Sequence, residues 1–319
     1  TGASGSKAQA QLINVVDLTG VSTGGTATVN LTGSNAITTK ASTGIISAQV
    51  VDASALTGAL TMNVAMESTA ASSGSATLTG GSGNDTLKGD TGEKSTINGG
   101  AGNDDITGGS AVDTITGGAG NDTINSSAGA DVIKGEAGND SITLGNAAQT
   151  IDGGAGNDTV TAGTNLAYGQ SIKGGEGTDI LSVGQQATAA AGSVVSGFET
   201  LVLAGDITQD LGNFANNTFT TVTNDGGGTT RTLHIDGVTT ETICFKTDAL
   251  KAASSVDLKD ASGTADSISL KFSDTAAQDF ANVLTVAGVE TVNIESDNSN
   301  TTISSGIAHS VDLAAAAAT

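Results

Sequence analysis

The chain has no proline, no tryptophan, one cysteine, two histidines and only eleven basic residues in 319. A lone cysteine excludes an intrachain disulfide, and Cys244, set in the apolar run Ile243-Cys244-Phe245, reads as a buried free thiol. His234 and His309 stand neither in an HExxH pair nor beside a Gly-x-Ser-x-Gly turn, so no hydrolytic constellation is present and no enzyme is expected. Eleven basic against 33 acidic residues leave a net charge of −22, which argues against nucleic acid or an anionic membrane surface as partner. No apolar run reaches the roughly 18 residues of a membrane span, and no basic start precedes an apolar stretch, so a cleaved export signal is not indicated. With aromatics at 2% and threonine and valine abundant, the strands should be thin and stacked on small side chains rather than around a large globular core.

What is present is a repeat. Between Gly80 and Ser182 a nine-residue unit recurs, and Gly99-Gly100-Ala101-Gly102-Asn103-Asp104-Asp105-Ile106-Thr107 is a clean copy. Others stand at Gly80 to Lys88, Gly117 to Asn125, Gly135 to Thr143, Gly153 to Thr161 and Gly174 to Ser182. Glycine at positions 1, 2 and 4 permits positive φ and turns carbonyl oxygens inward, while the aspartate at position 6 adds a charged oxygen. That donor set suits calcium, which takes roughly six to eight oxygens at about 2.3–2.6 Å. Position 8 is aliphatic in Leu87, Ile106, Ile115, Ile124, Ile133, Ile142, Ile151, Val160 and Leu181, so each unit ends in a short strand with one residue pointing inward. A flexible acidic linker has no reason to keep that position.

Two units should close one coil of a parallel roll, so that equivalent turns share an edge. On one edge the sixth residues are Asp85, Asp104, Asp122, Asp140, Asp158 and Asp179, separated by 19, 18, 18, 18 and 21 residues. The opposite edge is poorer. Gly89 to Asn98 carries an extra residue and Lys94 where the carboxylate belongs, Leu144 to Asp152 has Gln149, and Ala162 to Lys173 is three residues too long. Only Asp113 and Asp131 survive there. The expectation is a column of five calcium ions on the first edge and one or two on the second.

These residues resemble the RTX (repeats-in-toxin) nonapeptide of secreted Gram-negative proteins. In that family each ion is held by the second, fourth and sixth residues of one turn and the first, third and sixth of the turn one coil on. The resemblance implies Gly81, Gly83 and Asp85 with Gly99, Ala101 and Asp104 for the first ion, the glycines and alanine giving carbonyl oxygens. It implies Gly100, Gly102, Asp104, Gly117, Ala119 and Asp122 for the second, and Gly118, Gly120, Asp122, Gly135, Ala137 and Asp140 for the third. The fourth takes Glu136, Gly138, Asp140, Gly153, Ala155 and Asp158, and the fifth takes Gly154, Gly156 and Asp158 with Gly174, Glu176 and Asp179. On the poorer edge Gly109, Ala111 and Asp113 would face Ser126, Ala128 and Asp131, with Ala111 replacing the fourth-position glycine. Calcium, rather than a disulfide, is then the staple.

The flanks are strand-like. Gly197-Phe198-Glu199-Thr200-Leu201-Val202-Leu203 returns as Gly288-Val289-Glu290-Thr291-Val292-Asn293-Ile294, with a looser copy at Asp236 to Ile243, each a glycine turn feeding an alternating strand. Val50 to Leu60 leads into the first nonapeptide. Short helices are expected only at Asp248 to Ser254, Thr275 to Val283 and the final alanines. The fold class is all-β, a parallel calcium β-roll at Gly80 to Ser182 between β-rich, solenoid or sandwich-like regions at Thr1 to Thr79 and Val183 to Thr319.

The Asp-Ala-Ser-Ala-Leu-Thr-Gly lead-in and the Gly-x-Glu-Thr strands resemble the RTX-type surface-layer proteins of Gram-negative bacteria, which are acidic and rich in Thr, Ala, Gly, Val and Ser. That resemblance implies a secreted protein that folds with calcium and assembles with itself into a two-dimensional lattice on the cell surface, with a surface polysaccharide as anchor. It also implies export by a type I secretion machine, and Val311-Asp312-Leu313 followed by Ala314 to Ala318 resembles its C-terminal signal. The start at Thr1-Gly2-Ala3-Ser4 suggests a fragment of a longer protein. A calcium-dependent RTX adhesin is the alternative. The acidic turns Asp225 to Gly228, Asp260 to Asp266 and Asp297-Asn298 are candidates for lattice contacts.

Overall fold

The computed structural model describes residues 28–38, 50–63, 75–166, 169–204, 208–214, 216–217 and 219–224, and beyond them the strands that lie between residues 230 and 314. The chain divides into two compact units, Thr1–Gly156 and Asn157–Thr319.

In the first unit alternate strands belong to alternate sheets. One sheet holds Thr28–Gly33, Val50–Leu56, Ala76–Thr79, Ser95–Ala101, Thr114–Ala119, Val132–Ala137 and Thr150–Ala155, in that order. The other holds Ile37–Thr38, Leu60–Asn63, Thr86–Lys88, Asp105–Thr107, Thr123–Asn125 and Ser141–Thr143. Pairing is parallel, so the chain crosses between sheets and returns one coil further on. This is a β-solenoid, and the expected β-roll belongs to it.

The eighth-position residues explain the register. Leu87 pairs with Ile106, Ile106 with Ile124 and Ile124 with Ile142 on one wall. On the other, Leu78 leads through Ile97, Ile115 and Ile133 to Ile151. All nine side chains are at most 1% exposed. Each buried aliphatic contributes roughly 1.5–3 kcal/mol, and a one-residue slip would turn the whole ladder to solvent. Nothing larger than an aliphatic side chain is needed between the two walls, which is why so few aromatics suffice.

The strands preceding the well-formed turns are longer than the nonapeptide pattern suggests. Thr114–Ala119 runs on through Gly117, Gly118 and Ala119, and Gly118 and Ala119 pair with Gly100 and Ala101 on one side and with Glu136 and Ala137 on the other. The glycines are therefore strand residues as well as turn residues.

In the second unit the same logic continues with longer coils. One sheet runs Thr159–Gly163, Ile180–Val183, Thr200–Leu203, Thr221–Asn224, Thr242–Lys246, Ser267–Asp274 and Thr291–Asn298. Its partners are Ser171–Glu176 with Val195–Ser196, and then a third sheet of Thr208–Asp210, Thr230–Ile235, Ala253–Leu258, Leu284–Ala287 and Val311–Ala314. The aliphatic file passes from Val160 through Leu181, Leu201, Val222, Ile243 and Leu270 to Ile294. The three similar flanking segments place Thr200, Thr242 and Thr291 at the starts of strands in this one sheet. Cys244 lies in register between Thr223 and Lys271.

Several local expectations change. Ala189–Gly192 forms a short helix capped by Thr188, whose Oγ1 accepts from the Ala191 N–H, and Leu211–Phe214 a 3-10 turn. Neither was expected, because each is a single turn inside a coil and has no periodicity to read. The helix expected at Asp248 to Ser254 gives way at its end, since Ala253 and Ser254 open a strand paired with Thr230 and Arg231. Ala314 likewise ends a strand. Asp297-Asn298 is the end of Thr291–Asn298 and not a turn. Residues 248–252, 275–283 and 315–318 and the acidic segments 225–228 and 260–266 lie outside the described residues. Among the described residues no helix is long and apolar enough to cross a membrane.

Candidate metal centre

The carboxylates of the better edge are buried. Asp85, Asp104, Asp122 and Asp140 in the first unit, and Asp158 and Asp179 in the second, are exposed by no more than 2%. In Asp85, Asp104, Asp122, Asp140 and Asp179 one oxygen receives a backbone N–H from the coil before. Leu60 N donates to Asp85 Oδ1 at 2.7 Å, Asp85 N to Asp104 Oδ1 at 2.7 Å, Asp104 N to Asp122 Oδ1 at 2.8 Å and Asp122 N to Asp140 Oδ1 at 2.8 Å. In the second unit Asp158 N donates to Asp179 Oδ1 at 2.8 Å.

The other carboxylate oxygen is the chemically telling one. Asp85 Oδ2 accepts the Gly81 N–H at 2.7 Å, whereas Oδ2 of Asp104, Asp122 and Asp179 is buried with no hydrogen-bond partner. A buried anionic oxygen left without a donor is costly, and the arrangement requires either a proton or a cation. Burial is the first cause that pushes Asp104 up to about 7, with the Asp122 and Asp85 charges adding to it against the Asp85 hydrogen bond. Burial also raises Asp140 and Asp179 to about 6, and it raises Asp85 and Asp122. The ion pair of Lys134 with Glu136, at 3.9 Å and half exposed on both sides, offers nothing to these carboxylates.

The first-position glycines mark where those oxygens gather. A Cβ on Gly99 would sit 2.3 Å from Asp104 Oδ2 and 2.5 Å from the Gly117 carbonyl oxygen. A Cβ on Gly117 would meet Asp122 Oδ2 at 2.3 Å and Gly135 O at 2.9 Å, one on Gly135 would meet Asp140 Oδ2 at 2.2 Å and Gly153 O at 2.3 Å, and one on Gly80 would meet Asp85 Oδ2 at 2.4 Å and Gly99 O at 2.1 Å. In each case a turn's own carboxylate and the first-position carbonyl of the next coil crowd one point. Positions 2 and 4 are held differently, by φ of +109° at both Gly100 and Gly102. At the second position of the fourth turn Glu136 takes φ of 77° with a side chain attached.

Other carbonyls assigned by the resemblance already serve the ladder. Gly81 O accepts from Ala101 N, and Ala119, Ala137 and Ala155 accept from Gly102, Gly120 and Gly138 N–H groups. Each carbonyl keeps a second lone pair. Gly83, Gly102, Gly120 and Gly138 carbonyls point at the fourth-position glycine one coil on, within 2.5 Å of where its Cβ would be. The remaining assigned residues divide between the units, with Gly154 and Gly156 in the first and Gly174 and Glu176 in the second.

Position 5 has a role the sequence did not disclose. Asn103 N donates to Asn84 Oδ1, Asn121 N to Asn103 Oδ1 and Asn139 N to Asn121 Oδ1, at 2.8–2.9 Å, on the exposed side of the turns. This outer ladder runs opposite to the inner one: asparagine accepts from the following coil, aspartate from the preceding coil.

On the poorer edge both oxygens of Asp113 and of Asp131 have hydrogen-bond donors. Asp113 accepts from Ser95 N through Oδ1 at 2.7 Å and from Gly109 N through Oδ2 at 2.6 Å. Ser95, and not Lys94, therefore occupies the sixth position, because the extra residue shifts the turn by one. Asp131 Oδ1 accepts from Asp113 N at 2.8 Å, and its Oδ2 receives the Gln149 amide at 3.1 Å. The same Gln149 Nε2 donates to Ser126 Oγ at 2.6 Å and toward the Gly129 carbonyl at 3.4 Å. Ala128 N bonds Gly109 O, and the Ala111 carbonyl abuts Gly129. A neutral amide donor thus stands among the oxygens that a cation would need.

The model of the RTX calcium-binding nonapeptide repeat (4 copies) matches residues 71–93, 95–124, 116–148 and 143–164. The chain carries RTX calcium-binding repeats. No curated protein and no solved structure matches it. RTX repeats are typical of secreted proteins, and the buried carboxylates and the turned carbonyls fit the hard, oxygen-seeking ion named by the family. When bound, calcium would neutralise the inner carboxylates and draw successive turns together. Asp104, Asp122 and Asp140, with the Gly117, Gly135 and Gly153 carbonyls, are the residues of the first unit that would hold it.

Proposed function

We propose that the protein is a structural, non-catalytic surface-layer subunit that takes up a column of calcium ions along its better edge and assembles with copies of itself into a two-dimensional lattice. The observation that supports this reading is in-register parallel pairing within each unit beyond the carboxylates, with Thr28↔Val50 in the first and Val286↔Leu313 in the second. In each unit the coils extend past the calcium repeats. A solenoid offers long flat walls for contact between copies, and the composition matches that of surface-layer proteins. Type I export and a surface polysaccharide anchor belong to the same proposal.

Electron microscopy of the purified protein with calcium and with chelator tests it. Ordered sheets that form only with calcium are expected. Soluble monomers at millimolar calcium would favour an adhesin. Deleting residues 183–319 should leave calcium uptake by the repeats intact while abolishing the sheets.

A further inference from the structure

The family match ends at residue 164, and the last recognisable nonapeptide ends at Ser182, yet the carboxylate column does not stop there. Asp179 N donates to Glu199 Oε2 at 2.8 Å, the same inner rung that Asp158 N makes to Asp179 Oδ1 at 2.8 Å. Thr200 pairs in register with Ile180, so Glu199 stands in the sixth position of a further coil. Its turn is built from Gly197 at φ of +72°, Phe198, which is fully buried, and Glu199, which is half-buried. The Phe198 N–H is held by Asn217 Oδ1 at 3.1 Å, and the Asn217 amide bonds Val195 O at 2.9 Å, so the next coil fixes the turn from outside.

The centre of this coil has the features of the better edge. Asp179 Oδ2 is buried without a hydrogen-bond partner in a residue exposed by 0%. A Cβ on Gly174 would meet that oxygen at 2.6 Å and the Gly197 carbonyl oxygen at 2.0 Å, the same crowding of carboxylate and next-coil carbonyl found at Gly99 and Gly117. One coil later the pattern ends. Thr220 holds the sixth position, and Thr220 N and Thr221 N both donate to the Glu199 carbonyl.

We propose that Asp179, the Gly197 carbonyl and Glu199 form a terminal calcium site, with a glutamate at the position that aspartate holds in the repeats. The proposal rests on the calcium reading of the column. Glu199 is the last carboxylate of that column, and its partial exposure gives the ion a route to solvent.

Native mass spectrometry and isothermal titration of the full chain with calcium decide the matter through Glu199→Gln and Glu199→Asp. Both replacements keep a side-chain oxygen able to accept the Asp179 N–H, and only the second keeps the charge. Wild type and Glu199→Asp should bind the same number of ions, and Glu199→Gln one fewer. An unchanged count in Glu199→Gln, or equal loss in both variants, would overturn the site. Should Glu199→Gln fail to fold, folding of Glu199→Asp with the full count supports the proposal, and failure of both variants overturns it. Wild type that binds no calcium would defeat the calcium reading itself, an outcome distinct from an unchanged count in the variant.

Discussion

The N–H of Asp104 donates to Oδ1 of Asp122 in the following coil at 2.8 Å, while Asp122 Oδ2 lies buried with no donor. One carboxylate therefore does two jobs, tying neighbouring turns together and presenting negative charge to the interior. Asp122→Ala removes both. Losing one charge-assisted hydrogen bond costs about 1.5–3 kcal/mol, so the calcium needed for half-maximal folding should rise by roughly ten-fold or more. Asp122→Asn keeps the rung and removes the charge, and it should weaken calcium-driven folding while costing the metal-free chain little. Circular dichroism during a calcium titration reads both, and Asp131→Ala should fall well short of Asp122→Ala.

Acidity and calcium should act as rivals. The folded-state values of about 7 for Asp104 and about 6 for Asp140 and Asp179 lie above the ordinary 3.8, so protonation favours the metal-free fold. That contribution is complete below about pH 4 and is lost as pH rises through 6 to 7. In chelator the β-signal should therefore be stronger at pH 5 than at pH 8. With calcium the order reverses, because the ion needs ionised carboxylates, and its apparent affinity should fall on acidification over the same interval. A calcium affinity independent of pH between 5 and 8 would contradict this.

Gly117→Ala places a methyl group 2.3 Å from Asp122 Oδ2. Overpacking of this kind costs about 1–3 kcal/mol, and here it also displaces a carboxylate oxygen from the interior. Thermal melts across a calcium series should show a lower midpoint at each concentration. Gly92→Ala is the control, since its Cβ would meet only Asp90 Oδ1, at 3.8 Å.

Gln149→Glu exchanges an amide donor for a carboxylate beside Asp131 Oδ2. The metal-free protein should lose stability, because a hydrogen bond becomes a repulsion between like charges. Calcium should restore it and the variant should bind one more ion than wild type. Titration calorimetry measures the added site.

Much of this was legible in the chain. The aliphatic file from Leu87 to Ile142 and the spacing of Asp85, Asp104, Asp122 and Asp140 determine the parallel register, since both patterns must repeat once per coil. The extent of the solenoid was harder to read. Outside the repeats, Thr242 pairs with Ser269 and Ser269 with Asn293, and coils of changing length hide the period. Gln149 was visible only as a missing carboxylate, because nothing in the sequence says that its amide reaches Ser126 and Asp131 together. Ser95 was misplaced because an inserted residue shifts a turn without changing its composition. The asparagines looked like turn formers, and their ladder emerges only when successive coils are stacked.

The opposed directions of the two ladders give an incomplete stack unlike ends. A stack that stops at the turn of Asp104 shows, toward the N-terminus, an inner carboxylate oxygen awaiting a donor; toward the C-terminus it shows inner N–H groups and an outer amide oxygen. Growth is therefore polar in the way of a filament, with an acidic end and a donor end that recruit the next coil by different chemistry. The polarity lies in the hydrogen-bond donors and acceptors, since the Asp104 carboxylate that would hold calcium is common to both ends.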